Sequence, residues 1–182
     1  MDSLPDGPYR PWPMIINVNA WPGVGKLSIA RHFQPAIGAR LLDNHSIFNV
    51  AFGLFEFGSP EFRDAVRAVR RVAFDQVSKI PGDVPVILTS AYAETPFGRE
   101  NWAAIRALAD ARKAPLCNVV LDCALDENVR RVTSSGRAEL RKLVDPETLV
   151  AVRSKADLID DGGDSAGRIA EWLRQEQLIP EA

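Results

Sequence analysis

Cysteine, histidine and methionine are each present only twice in this 182-residue chain. Two thiols make no disulfide framework, and two cysteines with two histidines are too few for the common structural zinc clusters. Cys117 and Cys123 therefore read as buried, reduced thiols. No apolar run approaches the ~20 residues that span a bilayer. Charge of one sign is also lacking: 22 Lys and Arg stand against 24 Asp and Glu, so no basic field recruits nucleic acid or anionic lipid. Residues 1–13 carry Pro5, Pro8, Pro11 and Pro13 but no basic segment leading into an apolar one. They read as an irregular arm, not a signal peptide. The expectation is a cytoplasmic protein, monomer or homodimer, with no nucleic-acid or membrane partner. Without repeats or linkers, residues 14–182 make one domain, within the usual span of about 100–200 residues.

Short apolar runs alternate with helical periods along that domain. Residues 14–19 suit a buried strand ended by a Gly/Pro turn. A helix opens at Lys26, with Ile29, Ala30, Phe33 and Ile37 as its apolar stripe and Gly38 as its stop. Strand 39–42 leads into Asp43-Asn44-His45, and Gly53 and Gly58-Ser59-Pro60 interrupt the next stretch. Phe62, Val66, Val69, Ala73 and Val77 recur at steps of three and four, predicting a helix over 60–79. Next come strand 84–90, helix 100–112, strand 117–122, a helix from Asp126, a basic loop over 135–143, a short helix from Pro146, strand 156–160 and helix 165–176. Alternation of this kind predicts an α/β fold with a parallel sheet covered on both faces. Ligands of such sheets lie at the carboxyl ends of the strands.

At the first of those ends stands Ala20-Trp21-Pro22-Gly23-Val24-Gly25-Lys26-Leu27-Ser28. A glycine-rich loop between strand and helix lets successive N–H groups curl around phosphate oxygens, with the helix terminus adding a favourable field. Lys26 supplies a mobile cation for the β- and γ-phosphates. The pattern departs from G-x-x-x-x-G-K-[ST] at Ala20 and at Leu27, which has no oxygen to offer Mg²⁺. Ser28 is turned about 100° further around the helix. It cannot take over that ligand position, though it stays within reach of the α-phosphate.

With this loop, Asp43-Asn44-His45, and Val119-Val120-Leu121-Asp122 leading into Glu127, Arg130 and Arg131, the chain resembles the small P-loop kinases of the shikimate kinase and chloramphenicol phosphotransferase type, related to the nucleoside monophosphate kinases. The resemblance spans residues 14–173. It implies a three-layer α/β/α P-loop NTPase with a five-stranded parallel sheet in the order 2-3-1-4-5, a lid near 135–145, and phosphoryl transfer from ATP, with Mg²⁺, to a hydroxyl of a small molecule. It implies that Pro22, Gly23, Val24, Gly25, Lys26, Leu27 and Ser28 hold the nucleotide, that Arg130 and Arg131 flank the adenine, and that Asp161 borders it in the loop after the last strand. Asp43 matches a metal-binding acid. His45 replaces a second acid near the acceptor, where a neutral imidazole can accept a hydroxyl proton. Arg137, Arg141 and Lys142 match lid cations that steady the transferred phosphate.

Blander readings stay open for several of these residues. Asp43-Asn44 also suits a helix cap, and His45 a surface or packing position. Arg63, Arg67, Arg70 and Arg71 read as a solvated helix face beside an aromatic group of Phe48, Phe52, Phe55 and Phe57. Thr89-Ser90-Ala91-Tyr92 ends the third strand without the carboxylate usual there. Leu27 and that missing acid keep two alternatives in play: a nucleotide-binding sensor with little transfer activity, and an NTP hydrolase.

Overall fold

Six consecutive residues, Ile15–Ala20, are buried and form β1, as expected of a strand enclosed by layers on both faces. In the computed structural model, which describes residues 13–135, 137 and 142–161, β1 is central. It pairs in parallel with β3 (Val86–Ser90) and β4 (Leu116–Leu121), while β2 (Arg40–Leu42) pairs with β3, giving the order β2-β3-β1-β4.

Alternation along the strands assigns the two faces. Ile15, Val86, Leu88 and Leu116 turn toward α3 (Pro60–Val77) and α4 (Pro96–Arg112), packing with Val77, Trp102, Ile105 and Leu108. Ile16, Val18 and Ile87 turn the other way, onto Ala30 of α1 (Lys26–Phe33). The result is a three-layer α/β/α sandwich. Helices α5 (Leu125–Val132) and α6 (Pro146–Lys155) close over the loop after β1, burying Val132 and Leu149 against Trp21 and Val24.

Capping explains the starts of the long helices. Ser59 Oγ accepts from Phe62 N at 3.0 Å and Thr95 Oγ1 from Gly98 N at 3.0 Å, with Pro60 and Pro96 at the first helical positions.

Three local expectations are corrected. The apolar stripe of α1 is not buried as a whole: Ala30 is enclosed, but Ile29 is 48% and Phe33 45% exposed, and Ile37 belongs to a separate 3-10 turn over Gln34–Ile37. Gly53 does not break the chain. A helix α2, Asn44–Leu54, runs through it and packs Ile47 and Ala51 against Phe62 and Val66 of α3. Its apolar residues share one side and His45, Asn49 and Gly53 the other, so the glycine is carried on the polar face of an unbroken helix.

Residues 156–160, finally, make no strand. Ala93 and Leu158 form an isolated antiparallel bridge, with Glu94 N donating to Asp157 O (2.8 Å) and Ile159 N to Tyr92 O (2.9 Å). The Nδ2 groups of Asn19 and Asn118 each donate to Ile159 O at 3.1 Å. These bonds tie the segment to the end of β3 and the face of the sheet, so the sheet has four strands among the described residues. The arm up to residue 12 and the helix expected over 165–176 lie outside the described residues. No helix among the described residues is long and apolar enough to cross a membrane.

Candidate active site

Gly23 and Gly25 hold φ of 90° and 110°, backbone that side chains with a Cβ rarely adopt. Space forbids a side chain at Gly23 as well: a Cβ there would stand 2.6 Å from Val132 Cγ2 and 2.7 Å from Asn128 Nδ2. The loop is pressed this closely onto α5 because α5 binds its carbonyls. Asn128 Nδ2 donates to Pro22 O (2.8 Å) and an Arg131 guanidinium nitrogen to Val24 O (2.8 Å). Arg153 on α6 donates in turn to Asn128 Oδ1 (2.8 Å) and pairs with Asp122 (2.9 Å).

With those carbonyls engaged, the N–H groups of Gly23, Gly25 and Lys26 are left without a hydrogen-bond partner among the described residues. Such a cradle fits the oxygens of a polyphosphate. Lys26 opens α1, and its amine donates to Ala20 O at 3.2 Å. Desolvation lowers its pKa to about 8. Asp43 opposes the shift, and Arg137 and Lys142 add to it. Leu27 is half-buried and Ser28 exposed.

At the exit of β2, Asp43 occupies the N-cap position of α2, yet its side chain makes no capping bond. Asp43 Oδ1 accepts instead from the Thr89 hydroxyl at 2.7 Å, and Thr89 Oγ1 accepts from Asn44 N at 3.0 Å. His45 comes next, half-buried in the first turn of α2. Burial, seconded by Lys26, Lys142 and Arg137, holds its pKa below the ordinary 6.5 against the opposing pull of Asp43. A neutral imidazole therefore stands beside a carboxylate. Tyr92, whose phenol burial pushes up to about 12, reaches Asn44 Oδ1 at 3.5 Å.

The guanidinium of Arg137 donates twice to Leu143 O (3.2 and 3.1 Å), and Lys142 N donates to Arg137 O (3.1 Å). Leu143 packs against the apolar group around Trp21 and Val24. Arg137 and Lys142 thus come within electrostatic reach of Lys26 and His45.

Of the residues expected near the base, Arg131 bonds the loop and pairs with Glu127 at 2.5 Å. Arg130 is exposed and pairs with the same carboxylate at 2.6 Å, and the two guanidiniums together hold Glu127 down at about 2. Asp161 lies within electrostatic reach of Cys117, near the start of β4. Arg141 is outside the described residues.

Of the α3 arginines Arg63, Arg67 and Arg71 are exposed, as a solvated face requires, and Arg70 alone corrects that reading. Arg70 is only 8% exposed, bonded to Asn101 and within 3.3 Å of Glu100. Arg67 grips Glu100 at 2.8 Å and Asp64 at 2.6 Å.

Mg²⁺ fits this donor set poorly. The residue after Lys26 is a leucine, β3 ends without an acid, and no group of three or more His, Cys, Asp and Glu is placed to hold a metal among the described residues. Asp43 Oδ2 is the oxygen left over. The sequence did not single out Asn128 and Arg153. Their only signal was that Asn128 and Arg131 stand three apart on one face of α5.

No protein-family model and no curated protein matches this sequence. Among solved structures, a kinase candidate from Chloroflexus aurantiacus matches over 94% of this chain and 98% of its own, at TM-score 0.62 and 19% identity. A gluconokinase from Sinorhizobium meliloti matches over 93% and 98%, at TM-score 0.54 and 13% identity. Shikimate kinase from Acinetobacter baumannii, in complex with shikimate, matches over 93% and 95%, at TM-score 0.51 and 19% identity. At such identities the likeness is one of fold: the chain shares the three-layer α/β/α fold of these structures.

Proposed function

We propose that the chain is an ATP-dependent phosphotransferase acting on a hydroxyl of a small molecule, built as one P-loop kinase-like domain over 14–182 with a lid near 135–145. The observation that carries this reading is the meeting of the loop, Lys26, Asp43, His45 and the Arg137–Lys142 pair at the carboxyl ends of β1, β2 and β3. Polyphosphate and acceptor would face one another there.

The loop N–H groups and Lys26 hold the phosphates. The acceptor oxygen attacks the γ-phosphorus, the bond to the ADP oxygen breaks, and the acceptor proton passes to His45 Nδ1 or Nε2, or to Asp43. Thr89 fixes Asp43 for this task. Arg137, with Arg141, steadies the charge on the transferring group, since such transfer is largely positioning and charge stabilisation. Arg130, Arg131 and Asp161 are the residues proposed to border the base. Mg²⁺, were it to enter with ATP, would supply charge neutralisation, and Asp43 is the one carboxylate among the described residues that would be at hand for it.

Leu27 and the acid-free end of β3 favour a second reading, a nucleotide sensor with little transfer activity. Calorimetric titration of wild type and Lys26→Ala with ATP, followed by ADP release measured across a panel of hydroxylated acceptors, separates the two. Lysine-dependent binding with acceptor-stimulated release is the kinase result. Binding without release under any acceptor is the sensor result, and release without acceptor that of an NTP hydrolase. ATP affinity unchanged in Lys26→Ala sinks all three.

A further inference from the structure

A phosphate loop ordinarily holds Mg²⁺ through a Ser or Thr hydroxyl after the lysine and an acid at a neighbouring strand end. The oxygens that could take those places here are absent, turned away or already bonded, save one of Asp43. Leu27 puts a branched hydrocarbon at the first. Ser28 is exposed one step further around α1. At the end of β3, Ser90 Oγ is buried and donates to Asn19 Oδ1 at 3.0 Å. Thr89 Oγ1 donates to Asp43 and accepts from Asn44 N, which leaves Asp43 Oδ2 alone.

Positive charge, in contrast, is plentiful. Lys26, Arg137 and Lys142 stand within electrostatic reach of one another. No carboxylate lies within ion-pair distance of any of the three among the described residues, although seven other ion pairs are formed there. Three cations without a paired carboxylate around one cradle of N–H groups need an anion, and they disfavour a further divalent cation.

Resting on the nucleotide-site reading above, we propose that this site takes the metal-free polyphosphate: Lys26, Arg137 and Lys142 do the neutralising that a protein-held Mg²⁺ does elsewhere, and any metal is carried by the nucleotide alone. Mg²⁺ gives up its water reluctantly and needs one or two carboxylates besides phosphate oxygens to be held. A single oxygen of Asp43, within electrostatic reach of Lys26, gives it little reason to bind from the protein side.

The test is calorimetric titration of the full chain with ATP in EDTA and in excess Mg²⁺, with inorganic tripolyphosphate in EDTA as a probe lacking the base. The expected Kd values for ATP in the two conditions agree within about fivefold, roughly 1 kcal/mol, and tripolyphosphate binds without metal. Lys142→Ala weakens binding in EDTA by about tenfold and more than it weakens binding in Mg²⁺. Leu27→Thr, which restores the hydroxyl, makes Mg²⁺ strengthen ATP binding by about tenfold. Leu27→Ser serves the same purpose should threonine disturb the start of α1, with the thermal melt of each variant as the check on folding.

Mg²⁺ strengthening wild-type binding more than about fivefold while Lys26→Ala abolishes it overturns this proposal and leaves the phosphate-loop reading standing. Hydroxyl variants that fold but respond to Mg²⁺ as wild type does also overturn it. Binding of neither ATP form overturns both.

Discussion

Asn128 offers a sharp test of how the phosphate loop is held. Its side chain is fully buried, and both ends are used, Nδ2 on Pro22 O and Oδ1 on Arg153, each at 2.8 Å. Asn128→Ala strips a partner from the loop carbonyl and from one Arg153 N–H. A buried polar group left unpaired costs about 1–3 kcal/mol. Pro22 is only half-buried and Arg153 keeps Asp122 at 2.9 Å, so the low end applies to each, or about 2 kcal/mol together. For a chain of this size that lowers Tm by about 4–8 °C.

Loosening the loop also removes preorganisation, which weakens ATP binding by about tenfold. Asn128→Asp separates the two effects. It keeps an acceptor for Arg153 but sets carboxylate oxygen against carbonyl oxygen at Pro22 and adds negative charge beside the phosphates. Its ATP affinity falls further than that of the alanine variant, relative to its loss of stability. Thermal melts and calorimetry on the same preparations read both quantities. An alanine variant with Tm within about 1 °C and ATP affinity within about twofold of wild type would refute the clamp.

The geometry dictates three further outcomes. Thr89→Val removes the hydroxyl that holds Asp43 and Asn44, so turnover drops by about tenfold or more with ATP affinity little changed; Thr89→Ser recovers most of it, and equal losses in both variants would mean a packing role only. Because burial depresses His45 below 6.5, the group is neutral at pH 7, and turnover falls as acid protonates it, with a midpoint under 6.5; His45→Gln removes that limb, and a limb that persists assigns it elsewhere. The folded chain binds fewer protons than the unfolded one between the lowered His45 pKa and 6.5, so the contribution of this residue to stability is lost as pH falls through that window. Lys26, held at about 8 without ligand, regains its proton against phosphate. ATP binding at pH 9 therefore takes up close to one proton, read from the dependence of the binding enthalpy on buffer ionisation, and an enthalpy independent of the buffer would refute it.

Patterns that depend on neighbours in sequence were the legible part of this molecule. The glycine-rich turn between β1 and α1, the stripe Phe62, Val66, Val69, Ala73 and Val77, and the apolar strands could be read because each local rule agrees with the fold. The sheet order 2-3-1-4 came from the resemblance and holds as far as β4. Helix α2 escaped because Gly53 reads as a break, although Ile47, Phe48, Val50, Ala51, Phe52 and Leu54 share one side of the helix and His45, Asn49 and Gly53 the other. The clamp of Asn128 and Arg153 escaped for a different reason. Its partners lie 106 and 25 residues away, and nothing local distinguishes a buried asparagine from an exposed one.

The misread segment at 156–160 has its cause in strands that were read correctly. Asn17, Asn19 and Asn118 sit in β1 and β4 on the face that otherwise carries Ile15, Leu88 and Leu116. A polar side chain on a buried sheet face is costly wherever it lacks a partner, and among the described residues only Asn17 Oδ1 of these three side chains has none. Asn17 Nδ2 finds Asn118 Oδ1 at 2.8 Å. Asn19 is satisfied at both ends: Oδ1 accepts from Ser90 Oγ and Tyr92 N, while Nδ2 donates to Tyr92 O and Ile159 O. Those partners are the backbone just past β3 and the segment after α6. Their pairing across the sheet face takes up Asp157 O and Ile159 N, which a strand over 156–160 could otherwise have offered to β4. Asparagine interrupting a buried apolar strand is thus the signal for a connection crossing over the sheet, and here that connection anchors Tyr92, whose phenol reaches Asn44 beside Asp43 and His45.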